Sequence, residues 1–115
     1  MKEKLLGLLS ISRKAGRLAL GFDPVKRAVL GGGAQLVVAA SDLSEKTVSE
    51  MRYLCGVSGV RFREIPVTIN EIWFSVSKKA GLAAVNDAGL ADSMIKLIDA
   101  GGENGVSTGK EEAEA

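Results

Sequence analysis

The sequence predicts a three-layer α/β/α sandwich with about four strands, five helices and a mixed sheet. Three observations carry this. Short apolar runs alternate along the chain with segments of helical periodicity, the pattern of a sheet flanked by helices. Two of those runs, residues 36–40 and Leu82–Val85, are continuously apolar, as strands buried on both faces are. The length of 115 residues suits one domain that needs neither a metal nor a disulfide staple.

The first element is a helix over Lys2–Lys14. Leu5, Leu8 and Leu9 recur at helical spacing and Ser12 continues their face. Gly16, just past the basic end, supplies a left-handed cap. Leu18–Leu20 is long enough only for a short strand or a turn. Asp23 as N-cap and Pro24 as first helical residue then open a helix to about Leu30, with Val25, Ala28 and Val29 inward. Gly31, Gly32 and Gly33 end it. Residues 36–40 form a central strand. Ser44 caps a helix from Glu45 to about Val57 that turns Val48, Met51 and Cys55 inward. Residues 60–65 alternate apolar and charged side chains, as a half-exposed strand does. Ile69, Ile72, Trp73 and Val76 lie at i, i+3, i+4 and i+7, a short helix with Trp73 on its core face. Leu82–Val85 is the second buried strand. Asp87 starts the last helix, with Ala91, Met94, Ile95 and Ile98 inward. The domain is expected to span residues 1–100. Residues 101–115 lack periodicity and are expected to form a disordered acidic tail.

Composition narrows the chemistry. There is no histidine, so Ser-His and Cys-His nucleophile pairs are excluded, together with the usual neutral-pH base. The single cysteine allows no intrachain disulfide. The carboxylates show no paired or clustered spacing suited to acid–base work or metal ligation. No catalytic residue, metal site, cofactor or small-molecule substrate is therefore expected. No apolar run approaches the roughly 18 residues that span a membrane. The apolar stretch near the N-terminus is short, is broken by Gly7 and lacks a cleavage site. A cytoplasmic, monomeric protein is expected.

Charge supplies the positive signal. The net charge of +1 hides a basic N-terminal stretch: residues 1–31 carry seven bases against two acids. Residues 101–115 carry four acids against one base. A basic cluster of this density points to a polyanion. Arg13, Lys14 and Arg17 sit at a helix end and the loop after it, where they can neutralise phosphates. Cations at a helix C-terminus also offset its dipole, which accounts for one or two of them. The turn at Gly21 and Asp23 leads into a helix N-terminus, whose free N–H groups attract anions. Lys26 and Arg27 would lie in the first turn of that helix, against the dipole preference, which suggests a purpose beyond helix stability. Lys78 and Lys79 form a second basic spot. The Gly31–Gly33 run is not a phosphate loop, because it follows a helix and lacks the Lys-Ser/Thr ending. Phe22, Phe74 and Cys55 are read first as core residues.

Residues 21–29 and 34–42 resemble the kink-turn-binding ribosomal protein superfamily of the L-seven-Ae type. Residues 8–16 followed by Leu18, Leu54-Cys55, residues 60–65 and residues 82–91 resemble its small bacterial YlxQ-like branch. The likeness extends over residues 3–100. It implies an α/β/α sandwich, no enzymatic activity, and a structured RNA as partner, with ribosomal RNA in its scope. It also implies RNA recognition at the start of the second helix. Gly21 stands at the family's glycine, Arg27 at its lysine, Asp23 at its asparagine and Pro24 at its glutamate. Asp23 cannot donate to a guanine O6 as asparagine can, and Pro24 lacks both a carboxylate and an N–H. Arg27 still reaches guanine O6 and N7. The resemblance further implies a contact from the loop after the third strand, where Thr68 and Asn70 offer hydrogen-bonding groups. The alternative is a protein-interaction module of the same fold, using the acidic tail and the helix near Trp73. A nucleotide-processing enzyme finds no phosphate loop, histidine or metal cluster to support it.

Overall fold

The computed structural model describes residues 2–104. In chain order these form α1 (Lys2–Lys14), β1 (Leu18–Leu20), α2 (Phe22–Leu30), β2 (Leu36–Ala39), α3 (Glu45–Ser58), β3 (Arg61–Glu64), α4 (Ile69–Val76), β4 (Leu82–Val85) and α5 (Ala88–Asn104). The sheet order is β1-β4-β2-β3, with β4 antiparallel to both β1 and β2, and β3 parallel to β2. The predicted mixed α/β/α sandwich is what forms.

The strand period of two divides the core into two layers. Leu36, Val38, Ala83 and Val85 face one side, where Leu5 and Leu9 of α1, Ile72 and Val76 of α4, and Met94 and Ile98 of α5 cover them. Val37, Ala39, Leu82 and Ala84 face the other, against Val25 and Val29 of α2 and Val48, Met51 and Cys55 of α3. Every residue of β2 and β4 is buried, as their unbroken apolar runs require. The edge strand β3 is half exposed. On its α5 side Arg61 Nη2 lies 3.2 Å from Asp92 Oδ1, and Arg63 Nε 3.1 Å from Asp99 Oδ1. Cations on an edge strand also discourage pairing with another chain.

The caps follow from local chemistry. The Ser44 hydroxyl accepts from Thr47 N at 3.3 Å, as expected for the start of α3. Asp87 Oδ2 accepts from Leu90 N at 2.8 Å at the start of α5. Gly16 takes φ 71° after α1. Thr68 and Glu71 form a reciprocal capping box on α4: Glu71 N donates to Thr68 Oγ1 at 3.2 Å, and Thr68 N donates to Glu71 Oε1 at 2.9 Å. That backbone hydrogen bond, with help from the Lys2 ammonium, holds the Glu71 carboxyl below its ordinary range.

Four expectations change. Asp23 does not cap α2, because Gly21 does, with φ 98° and ψ 162° and no side-chain bond. Those angles are open almost only to glycine, so the helix starts two residues before Pro24. Pro24 is tolerated there because the first four helical N–H groups lack intrahelical acceptors anyway. Arg27 consequently lies in the last turn of a nine-residue helix, where a cation suits the dipole. Trp73 is not a core residue: it is 48% exposed. Ser75 Oγ donates to Leu6 O at 2.8 Å and points the 72/75/76 side of α4 at α1, which swings Trp73 and Phe74 outward. Phe74 is correspondingly 92% exposed. Finally, α5 runs through Asn104, past the expected boundary at residue 100. The remainder of the expected acidic tail, residues 105–115, lies outside the described residues.

Candidate nucleic-acid interface

The strand directions give the sheet two functionally different ends. At one, β1, β2 and β3 finish and β4 begins. Four backbone and cap bonds lace the loops there. Gly21 N donates to Leu82 O at 3.0 Å, Ala40 N to Gly81 O at 2.8 Å, Ser41 N to Val67 O at 2.9 Å, and Ile69 N to Asp42 Oδ1 at 2.9 Å. Gly81 permits this closeness: a Cβ there would stand 2.6 Å from Leu43 Cδ1 and 3.3 Å from Ile69 Cδ1. The Gly21 turn, the start of α2, the loop before α4 and the link from α4 to β4 are thereby held on one surface.

Most of the sequence-predicted site gathers at this end. Gly21 and Asp23 form the turn and first helical residues of α2. Val25 N is taken by Gly21 O at 3.0 Å and Pro24 has no N–H, so Phe22 and Asp23 supply the open N–H groups of the first turn. Lys26 and Arg27 follow on the same short helix, both exposed. Lys78 and Lys79 lie in the link to β4. Lys79 is three residues from Leu82, at most about 11 Å of chain. Asn70 is exposed in the first turn of α4, whereas the Thr68 hydroxyl is engaged in the capping box.

Arg13, Lys14 and Arg17 are at the opposite end. Arg17 O accepts from Asn86 N at 2.8 Å, beyond the far end of β4. The four positions of β1 and its junction separate Arg17 from Gly21, about 13 Å at strand spacing. The basic stretch that is continuous in sequence is thus split in space into two patches.

Ion pairing sorts the cations further. Within 4.0 Å, Lys2 pairs with Glu71, Arg52 with Glu64, Arg61 with Asp92 and Arg63 with Asp99. Among the described residues, none of Arg13, Lys14, Arg17, Lys26, Arg27, Lys78 and Lys79 has a carboxylate partner in that range. The cations of β3 and α3 tie elements together; those of the predicted patches are exposed and have no such partner among the described residues.

Sequence reasoning missed two features of this end. One is Asp42, whose carboxylate adds a second cap to α4 from the loop after β2. The other is a groove of about 600 Å³ lined by Asn70, Trp73, Phe74 and Ser77. Its signal was present as the i, i+3, i+4, i+7 spacing of those four residues, hidden beneath the apolar stripe of the same helix. Cys55 is buried on the inner face of α3, and desolvation pushes its thiol up to about 11, away from nucleophilic use. No group of three or more potential metal-ligating side chains occurs among the described residues. No described helix is long and apolar enough to cross a membrane.

Solved structures of similar shape include the following two. A protein of unknown function from Bacillus halodurans C is 27% identical with a TM-score of 0.79, over 84% of this chain and 97% of that one. The 15.5kD RNA binding protein of Giardia lamblia is 19% identical with a TM-score of 0.72, over 84% of this chain and 86% of that one, and shares its fold. The sequence itself matches one family along residues 3–88, from α1 to the start of α5. By that match the chain belongs to the ribosomal protein L7Ae/L30e/S12e/Gadd45 family.

Proposed function

We propose that this chain is a non-catalytic RNA-binding protein, ribosomal-protein-like in kind, that grips a structured, kink-turn-like RNA with the Gly21 end of its sheet. One observation carries the reading. A glycine-only turn opens the N-terminus of α2, Lys26 and Arg27 follow on that helix, Lys78 and Lys79 lie in the link laced to the turn through Leu82, and none of the four has a carboxylate partner within 4.0 Å among the described residues. Family membership supports it, as does the fold shared with the Giardia RNA binding protein.

The roles follow from donor chemistry. The open N–H groups of Phe22 and Asp23 suit phosphate or base oxygens. Lys26, Lys78 and Lys79 neutralise backbone phosphates, and Arg27 offers a bidentate fork to guanine O6 and N7. The Asp23 carboxylate accepts where the family's asparagine also donates, so it favours an amino group over a guanine O6. Arg13, Lys14 and Arg17 touch flanking phosphates of an RNA long enough to pass along α1. Membership of the YlxQ-like branch and a cytoplasmic, monomeric state belong to the same reading.

The test is binding of a kink-turn RNA and a control hairpin across several salt concentrations. Affinity that falls with salt at a slope of several phosphates, and is tighter for the kink-turn, is the expected result. No binding to either RNA at low salt would sink the proposal. A protein-interaction module remains the second reading, favoured by Tyr53 and Val57, exposed one turn apart on the outer face of α3. Co-purification of a protein without RNA absorbance would support it.

A further inference from the structure

Helix α4 has two faces. Ile72 and Val76 are sealed into the core and Ser75 is bonded to α1. The solvent side presents Asn70, Trp73, Phe74 and Ser77 on a single stripe, and these residues line the 600 Å³ groove. Two adjacent large aromatics in the open, one of them 92% exposed, are not needed to hold an eight-residue helix whose inner stripe is already buried. The helix ends at Ser77, which takes φ 62° and turns the chain back along this side. That return places Lys79 Nζ 5.7 Å from the centroid of the Trp73 ring.

We infer that the Trp73–Phe74 groove is a stacking site for an unpaired nucleobase of the RNA held at the Gly21 end. This rests on the RNA-binding reading and extends its footprint onto α4. The groove combines two aromatic faces, the Asn70 amide for a base edge, the Ser77 hydroxyl, and a cation at its border for the adjoining phosphate. Among the described residues, no carboxylate lines it. The groove is continuous with the proposed interface, because Ser77, Lys78 and Lys79 lead directly to Leu82, which accepts from Gly21 N. An apolar protein segment would also fit two aromatic rings. Lys78 and Lys79, exposed and without a carboxylate partner among the described residues, favour the polyanion instead.

Trp73 is the sole tryptophan, so intrinsic fluorescence reads the groove without a label. The experiment uses the full chain, the same kink-turn RNA, and a version of that RNA in which the unpaired bulge nucleotides are abasic. Intact RNA should quench Trp73 emission. Phe74→Ala should weaken binding about tenfold, a change within the range for one base stacked on one ring, while leaving the melting midpoint unchanged. The abasic RNA should cost the wild type a similar factor and cost the Phe74→Ala variant little more. Unquenched emission, together with wild-type affinity in Phe74→Ala, overturns the inference. If Lys26→Ala and Arg27→Ala still weaken binding in that case, the RNA-binding reading stands without it. Absence of any RNA binding by the wild type fails both. Loss in Phe74→Ala of a co-purifying protein, with RNA affinity unaltered, also overturns the inference and assigns the groove to a protein partner.

Discussion

At the scale of single residues, the interface depends on conformations that few side chains accept. Gly21 sits at φ 98°, ψ 162°, where an added Cβ finds space but the backbone is strained. Gly21→Ala is expected to destabilise the fold by about 1–3 kcal/mol and to weaken RNA binding beyond that, since the α2 N-terminus shifts. Chemical denaturation and binding isotherms measure the two effects separately. Thr68 makes the opposite case. Its hydroxyl holds the α4 capping box, so Thr68→Ala should cost about 1 kcal/mol of stability and leave RNA affinity near wild type. A large affinity loss at unchanged stability would return Thr68 to the contact surface. Cys55 supplies a pH signature. Its thiol titrates near 9.0 in the unfolded chain and at about 11 when folded. Below pH 9 both states are protonated and the stabilisation is whole. Between pH 9 and 11 the unfolded chain alone ionises, and stability falls by about 2–3 kcal/mol. Cys55→Ala should flatten that limb of the stability–pH curve. Glu71 acts at the other extreme: its lowered pKa means its contribution is present above the ordinary carboxylate range and is lost as pH falls through the folded value.

At the scale of elements, periodicity and unbroken apolar runs located the helices and the longer strands among the described residues, whereas Leu18–Leu20, three residues long, reads as strand or turn until its pairing with β4 decides it. β2 and β4 were legible as central strands since no polar residue interrupts them. The start of α2 was not. An Asp-Pro pair carries a strong cap signal, yet a glycine two residues earlier in a conformation closed to other residues overrides it. That displacement also moved Arg27 to the last turn and removed the dipole argument made for it. Trp73 was misplaced because an eight-residue helix gives two competing stripes, and the contact that decides between them comes from Leu6, 69 residues away. No local pattern reports such a contact. The Phe74→Ala experiment tests this element-scale correction as well as the proposed stacking site: the exposed ring should be removable without loss of stability.

At the scale of the whole molecule, sequence identified which residues are basic but not which end of the sheet each occupies. The stretch from Arg13 to Arg27 reads as one patch, and β1 cuts it in two by carrying the chain from one end of the sheet to the other. Lys78 and Lys79, distant in sequence, complete the Gly21 patch through the Gly21–Leu82 bond. A division of labour follows. Substitutions at the Gly21 end should change affinity and discrimination between RNAs together. Arg13→Ala and Arg17→Ala should weaken all RNAs alike and reduce the salt slope by about one per lost phosphate contact. Discrimination lost on Arg17→Ala but kept on Arg27→Ala would reverse the assignment of the two ends. The central claim meets its most direct test in the affinity of a kink-turn RNA for Arg27→Ala beside Lys96→Ala, an exposed cation on α5 outside both patches. The account predicts a clear loss for Arg27→Ala and near wild-type binding for Lys96→Ala; equal affinities would contradict it.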